Sequence, residues 1–182
     1  ESEEERYKKL QDNYKNHSNI ILINEKLDPE TKNINQIIKK NNINEINLLS
    51  IDVDGRDLSI WKSLEILKPD TVIIEFNDTI PFDTSYEDKT EKCIGNSFLA
   101  INDFAKSAEY ELIKVTRDNL IYAKKSFNQG MHKVITAEEV YSICKPIRVG
   151  FNNFGEYLFF YDHKLDFKEV YKSPLAKSFI TF

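Results

Sequence analysis

Leu48-Leu49-Ser50-Ile51-Asp52-Val53-Asp54-Gly55-Arg56-Asp57 decides how this chain is read. Four apolar residues in the first six positions, some of them β-branched, predict a buried strand. The strand runs into two acids spaced by one residue, then a glycine, then Asp57 at a position suited to cap a helix. Leu58, Trp61, Leu64 and Leu67 follow at helical spacing, and Pro69 closes that segment. The acids therefore sit at the carboxyl end of a strand in a strand–turn–helix unit, where open α/β sheets bind ligands. Asp54 and Asp57 suit the turn and the cap. Asp52 ends an apolar strand, where a carboxylate is costly unless something uses it, and so it is a candidate site residue.

Working outward, Thr71-Val72-Ile73-Ile74-Glu75-Phe76 predicts another buried strand that also ends in an acid. Upstream, Asn19-Ile20-Ile21-Leu22-Ile23-Asn24 is a continuous apolar run, as expected of a buried parallel strand. A helix around Ile34, Ile37 and Ile38 separates it from the central stretch. Three strand-like runs with two helical segments between them predict a parallel α/β sheet. The first residues predict a helix, with a capping box from Ser2 to Glu5 and a stripe of Tyr7, Leu10 and Tyr14.

Residues 78–92 are polar, carry Pro81, Phe82 and Tyr86, and predict a loop over the strand ends. A loop of that length is more often functional than idle. A helix is expected over residues 97–108. Tyr110 to Val115 and Asn119 to Ala123 then predict two strands, and the short Thr116-Arg117-Asp118 connection makes them antiparallel. Thr136-Ala137-Glu138-Glu139 is a second capping box. Residues 1–125 are expected to form the main domain, and 126–182 an aromatic-rich extension. That extension includes Phe151, Phe154, Tyr157, Phe159, Phe160, Tyr161, Phe167, Tyr171, Phe179 and Phe182. It is expected to pack on the main domain; the competing expectation is a subunit interface that makes a homo-oligomer.

With 182 residues, 41% of them hydrophobic, the chain can bury a substantial core. A net charge of −5 lacks the basic signature of a general nucleic-acid binder. No stretch approaches the run of about 20 apolar residues that a membrane span needs. Cys93 and Cys144 form neither a short metal motif nor a disulfide framework, so a reducing, cytoplasmic setting is expected. His17, His132 and His163 stand away from the acids in sequence and are expected at the surface.

Two families bear on the acids. Ile51-Asp52-Val53-Asp54-Gly55-Arg56 is similar to the nucleophile motif of haloacid-dehalogenase-type, Mg-dependent phosphatases. That likeness spans six residues, with Arg56 in place of the usual Thr or Val, and no second Asp-pair motif follows. A wider resemblance is to FkbM-type, S-adenosylmethionine-dependent methyltransferases. Glu1-Ser2-Glu3-Glu4-Glu5-Arg6-Tyr7-Lys8-Lys9-Leu10 resembles the family pattern Glu-x-(acid)-x-x-Arg-(aromatic)-x-x-Leu. Residues 51–57 resemble its Ile-Asp-(Val/Ile)-(Asp/Glu)-Gly-x-(Asp/Glu) stretch, and Ile74-Glu75-Phe76-Asn77 its Ile-Glu-(Tyr/Phe)-Asn strand end. Gly95-Asn96-Ser97 and the strand from Asn119 to Ala123 continue the likeness.

The resemblance implies a Rossmann-like methyltransferase three-layer sandwich, with a mainly parallel sheet and a terminal antiparallel hairpin. It also implies that these residues are the later portion of the domain. The first strands and the Gly-rich cofactor loop have no counterpart in the sequence. Glu1 would then bind the cofactor ribose, Glu25 and Asp28 would lie near its adenine end, and Asp52 would face the methyl-transfer centre. Asp54, Glu75 and Asn77 join Asp52 as candidate catalytic residues. No resident metal is expected, although Asp52, Glu75 and Asn77 offer the oxygen ligands that Mg²⁺ prefers. The expected function is methyl transfer to a hydroxyl of a sugar or other small polar metabolite. A non-catalytic Rossmann-like interaction domain is the alternative, and the phosphatase stands third.

Overall fold

The computed structural model describes residues 4–90, 93–116, 118–144, 147–151 and 157–161. The helices are α1 (Glu4–Tyr14), α2 (Asn33–Lys40), α3 (Asp57–Ser63), α4 (Phe98–Ser107), α5 (Lys125–Asn128) and α6 (Ala137–Cys144). The strands are β1 (Leu48–Ile51), β2 (Thr71–Glu75), β3 (Tyr110–Val115), β4 (Asn119–Lys124), β5 (Ile147–Phe151) and β6 (Tyr157–Tyr161). The first four form one sheet in the order β1-β2-β4-β3, and β5 pairs with β6 in a separate antiparallel pair.

The four-stranded sheet is mixed, which corrects the expectation of a mainly parallel one. Only β1 and β2 pair in parallel. The β3–β4 hairpin is antiparallel as expected, but its second strand inserts beside β2. The register Thr71↔Ala123 through Glu75↔Asn119 carries the hairpin turn to the carboxyl end of β2. A two-residue periodicity cannot foretell that placement, because either strand of a hairpin can meet the neighbour.

A second correction concerns residues 19–24, which form no strand. Ile20 and Ile21 are exposed, Ile21 at 60%. An apolar run becomes a strand only where its amides and carbonyls meet a partner's ladder, and β1 does not pair with this one. The segment is tied to α1 by Tyr7, whose hydroxyl donates to the Leu22 carbonyl at 3.2 Å. The central strands are also less enclosed than expected. Leu48 is 56% exposed, and β2 alternates between half-buried and buried residues.

One face of the sheet carries the core. Val72, Ile74 and Phe76 project to it from the β2 segment, with Leu120 and Tyr122 beside them from β4. Trp61 of α3 meets Phe104, Tyr110 and Tyr122 with ring centroids 5.2, 5.3 and 5.6 Å apart. This aromatic cluster joins α3 and α4 to the sheet. Tyr110 donates to the Pro69 carbonyl at 2.7 Å, and burial pushes its phenol up to about 12. Helix α3 stops at Ser63, short of Leu64 and Leu67, because Asn35 takes over its end. The Asn35 amide donates to the Ser63 carbonyl at 2.7 Å and accepts from the amides of Glu65 and Ile66. The second capping box forms as read, with Thr136 and Glu139 each accepting from the other's backbone amide.

Side chains of β5 and β6 lie outside the description, as do Ser2, Phe154, His163 and the aromatics from Phe167 onward. Among the described residues no helix is long and apolar enough to cross a membrane.

Trp61→Ala should cost about 3–5 kcal/mol, enough to leave little of a typical domain's stability, as read by urea melts. Tyr122→Phe should do the reverse. Its hydroxyl is buried with no hydrogen-bond partner among the described residues. Removing that oxygen is expected to raise stability by about 1 kcal/mol.

Candidate functional site

The carboxyl ends of β1 and β2 open into a cleft of about 260 Å³. Three segments build it: the turn at residues 52–57, the end of β2 running into Asn77 and Asp78, and residues 93–95 of the long loop. Asp118, in the β3–β4 turn, closes it.

The first turn is held by its own last acid. Asp54 adopts φ +52°, and Gly55 adopts φ +123°, a conformation that side chains resist. A Cβ on Gly55 would stand 2.9 Å from the Cys93 Cα and 3.1 Å from an Asp88 carboxylate oxygen. Asp57 is buried, and its two oxygens accept from the amides of Val53 (2.9 Å) and Gly55 (3.0 Å). This corrects the expected cap. Arg56 occupies the position before α3, while the Asp57 side chain folds back and braces the turn.

The long loop is fastened to that turn by two buried polar side chains. Asn96 donates to the Gly55 carbonyl at 2.9 Å and accepts from the Asp88 amide at 3.0 Å. Asp88 in turn accepts from the amides of Thr90 (2.8 Å), Ile94 (2.7 Å) and Gly95 (3.3 Å) and from the Thr90 hydroxyl (2.8 Å). Burial would push the Asp88 carboxyl up, but these hydrogen bonds outweigh it and keep the group below its ordinary value. Phe82 anchors the loop's other arm by stacking on Phe98 at 5.0 Å. The loop thus lies over the end of β2, as its length and composition predict.

The sequence candidates separate on this frame. Asp54 and Glu75 line the cleft. Partial burial raises the Glu75 carboxyl above its usual range, and the negative charges of Asp52, Asp57, Asp118 and Asp54 push it further. Asp52 is exposed and does not line the cleft, so the desolvation cost that singled it out is absent; it acts on Glu75 through its charge. Asn77 lines the cleft with its amide committed to the loop, donating to the Ile94 carbonyl and accepting from the Thr79 amide and hydroxyl. Glu25 pairs with Lys40 at 3.7 Å, and Asp28 accepts from the Glu30 amide and the Thr31 hydroxyl. Neither lines the cleft. Glu1 lies outside the described residues. Among the described residues no group of three or more His, Cys, Asp or Glu is placed to hold a metal ion.

Residues 5–112 match the family model of the methyltransferase FkbM domain. The chain belongs to that family. Comparison with curated proteins and with solved structures gave no match. The FkbM match spans α1 through the middle of β3 and so takes in both strand ends and the loop that together form the cleft. Asp78, Cys93 and Asp118 line this FkbM-domain cleft without having been singled out in the sequence. Asp118 arrives only because β4 is inserted beside β2. For Asp88 and Asn96 the usable signal was two polar residues bracketing a loop that must close on itself.

Asp88→Asn should lower stability by about 1–3 kcal/mol at pH 7, since an amide cannot accept all four bonds at once. The depressed carboxyl contributes fully above its unfolded value of 3.8 and loses that contribution as pH falls through its lower folded value. Urea melts at pH 7 and pH 3 should therefore show the gap between wild type and variant narrowing in acid.

Proposed function

We propose that the cleft serves S-adenosylmethionine-dependent methyl transfer to a hydroxyl of a small polar molecule such as a sugar, with Glu75 as the base. The observation that carries this reading is the raised Glu75 carboxyl at the mouth of a carboxylate-lined cleft in an FkbM-family chain. A carboxylate whose proton affinity is raised toward the working pH is a better acceptor for a hydroxyl proton than an ordinary surface one. Glu75 sits at a strand end, so the scaffold fixes its direction. The Phe76–Phe82–Phe98 group behind it supports the loop that edges the cleft.

The cofactor supplies an electrophilic methyl group on a positively charged sulfonium. Asp54, Asp57, Glu75 and Asp118 give the cleft a negative field that suits such a charge. The described residues fit that end of the cofactor, and no described residue is assigned to its adenosine end. Phe76 adds an apolar wall to the cleft, while Asn77 and Cys93 hold its rim.

Calorimetric titration with S-adenosylhomocysteine tests the reading. Saturable binding is expected, retained in Glu75→Gln, while methyl transfer from labelled S-adenosylmethionine to a sugar panel falls about 10²-fold or more in that variant. Folded protein that does not bind the product cofactor would overturn the proposal. Glu75 carries its proton below its raised value, so transfer should increase as pH rises through a midpoint above 4.5. That limb should vanish from the residual activity of Glu75→Gln. The same shift acts in reverse on stability, because ionising Glu75 in the fold is unfavourable. The variant should gain on wild type as pH climbs past 4.5.

A further inference from the structure

The turn at residues 54–57 borders two concavities. Asp54, Gly55 and Asp57 line the acidic cleft, whereas Arg56, between them in sequence, lines a second hollow of about 260 Å³. Its charge is opposite. Lys32, Arg56, Lys62 and Lys89 surround it, against Glu30 and Glu87. In a chain of net charge −5 this is a local reversal of sign. The four cations come from four different segments: the loop before α2, the turn, α3 and the long loop.

Two of these cations are held by close carboxylate partners. Glu87 accepts from Lys62 at 2.7 Å and from the Ser59 hydroxyl at 3.0 Å, and Lys32 pairs with Glu65. Arg56 is different. Its side chain is only 24% exposed, its Nε is buried with no hydrogen-bond partner among the described residues, and its one ion pair among those residues is long. That partner, Glu30, lies 3.5 Å away with a side chain 83% exposed. An exposed pair at that distance contributes little, about 0–1 kcal/mol, and yields readily to a better anion. A largely covered guanidinium whose outer nitrogen holds only a distant, exposed carboxylate can exchange that partner for a doubly charged oxyanion.

We propose that this hollow binds a phosphoryl group, and that it holds the phosphorylated end of the acceptor whose hydroxyl reaches the acidic cleft. A planar carboxylate is satisfied by one guanidinium fork. Cations converging from four segments suit a tetrahedral dianion, whose oxygens point in several directions. Gly55 and Asp57 edge the cleft and Arg56, between them in sequence, edges the hollow, so one turn borders both sites. The sign pattern would orient the acceptor, with the phosphoryl group excluded from the carboxylates of the cleft. The assignment to the acceptor rests on the methyl-transfer reading; phosphoryl binding itself does not.

Calorimetric titration of the cofactor-free protein with inorganic phosphate at low ionic strength tests the hollow. Saturable one-to-one binding is expected, weakening as sodium chloride is added. Arg56→Gln should lower affinity about tenfold, the loss expected for one charged hydrogen bond. Lys89→Gln, on the exposed loop, should lower it less, and Glu30→Gln should raise it by removing the competing anion. The last two substitutions lie at the surface and keep the test decisive should Arg56→Gln melt early. No saturable binding, or affinities unchanged in Lys89→Gln and Glu30→Gln, would overturn the proposal. Glycerol 3-phosphate should displace phosphate. Retention only by phosphatidate vesicles would overturn the small-acceptor assignment. Phosphate binding without S-adenosylhomocysteine binding would leave the hollow standing and remove the methyl-transfer reading, and the converse result would remove only the hollow.

Discussion

Asp88 is fully buried, and with Asn96 it ties the long loop to the turn after β1. Neither side chain could be placed there unpaired, since a buried carboxylate without donors costs several kcal/mol. The requirement runs in both directions. Gly55 must lack a Cβ so that the loop can approach, and the loop must curl so that its amides reach Asp88. The Asp57 carboxylate, accepting from Val53 and Gly55, keeps the turn in the shape that this approach needs. The walls of the cleft are therefore fixed by groups that do no chemistry themselves.

That constraint explains why the acids divide as they do. Asp57 and Asp88 are satisfied by backbone donors and serve as braces. Glu75 has no such donor among the described residues, is partly buried, and faces the charges of its neighbours, so its proton affinity rises. Two carboxylates in one small volume can thus be driven in opposite directions, because hydrogen-bond supply decides which one stays ionised. The same turn carries Arg56 away from these acids into a hollow lined by lysines, so that opposite fields lie one residue apart.

The sheet order adds what the turn alone would not provide. With β4 inserted between β2 and β3, the hairpin turn lands beside Glu75 and brings Asp118 to the cleft. The Phe76 amide donates to the Asp118 carbonyl at 2.9 Å, so that turn is bonded directly to the strand end. The aromatic packing of Trp61 against α4, β3 and β4 then fixes the face on which the helices lie.

Local pattern determined much of this protein. The strand–turn–helix unit at Ile51–Asp57, the β2 strand, the covering loop, α4, the hairpin and the Thr136 capping box all follow from periodicity and side-chain chemistry at short range. The FkbM membership was likewise legible, because the motifs around Asp52 and Glu75 keep their order and spacing. Only the tertiary structure decided the rest. Residues 19–24 have a strand's composition but form none, because pairing needs a partner that composition does not supply. Asp52 looked costly as the end of a buried strand, yet it is exposed to solvent. Asp57 braces a turn where it looked like a cap, because the Gly55 conformation turns two amides toward it. Asp118 and Arg56 acquire their roles from strand order and from which side of a turn a side chain leaves. Those are relations between segments distant in sequence, set by packing and hydrogen-bond satisfaction.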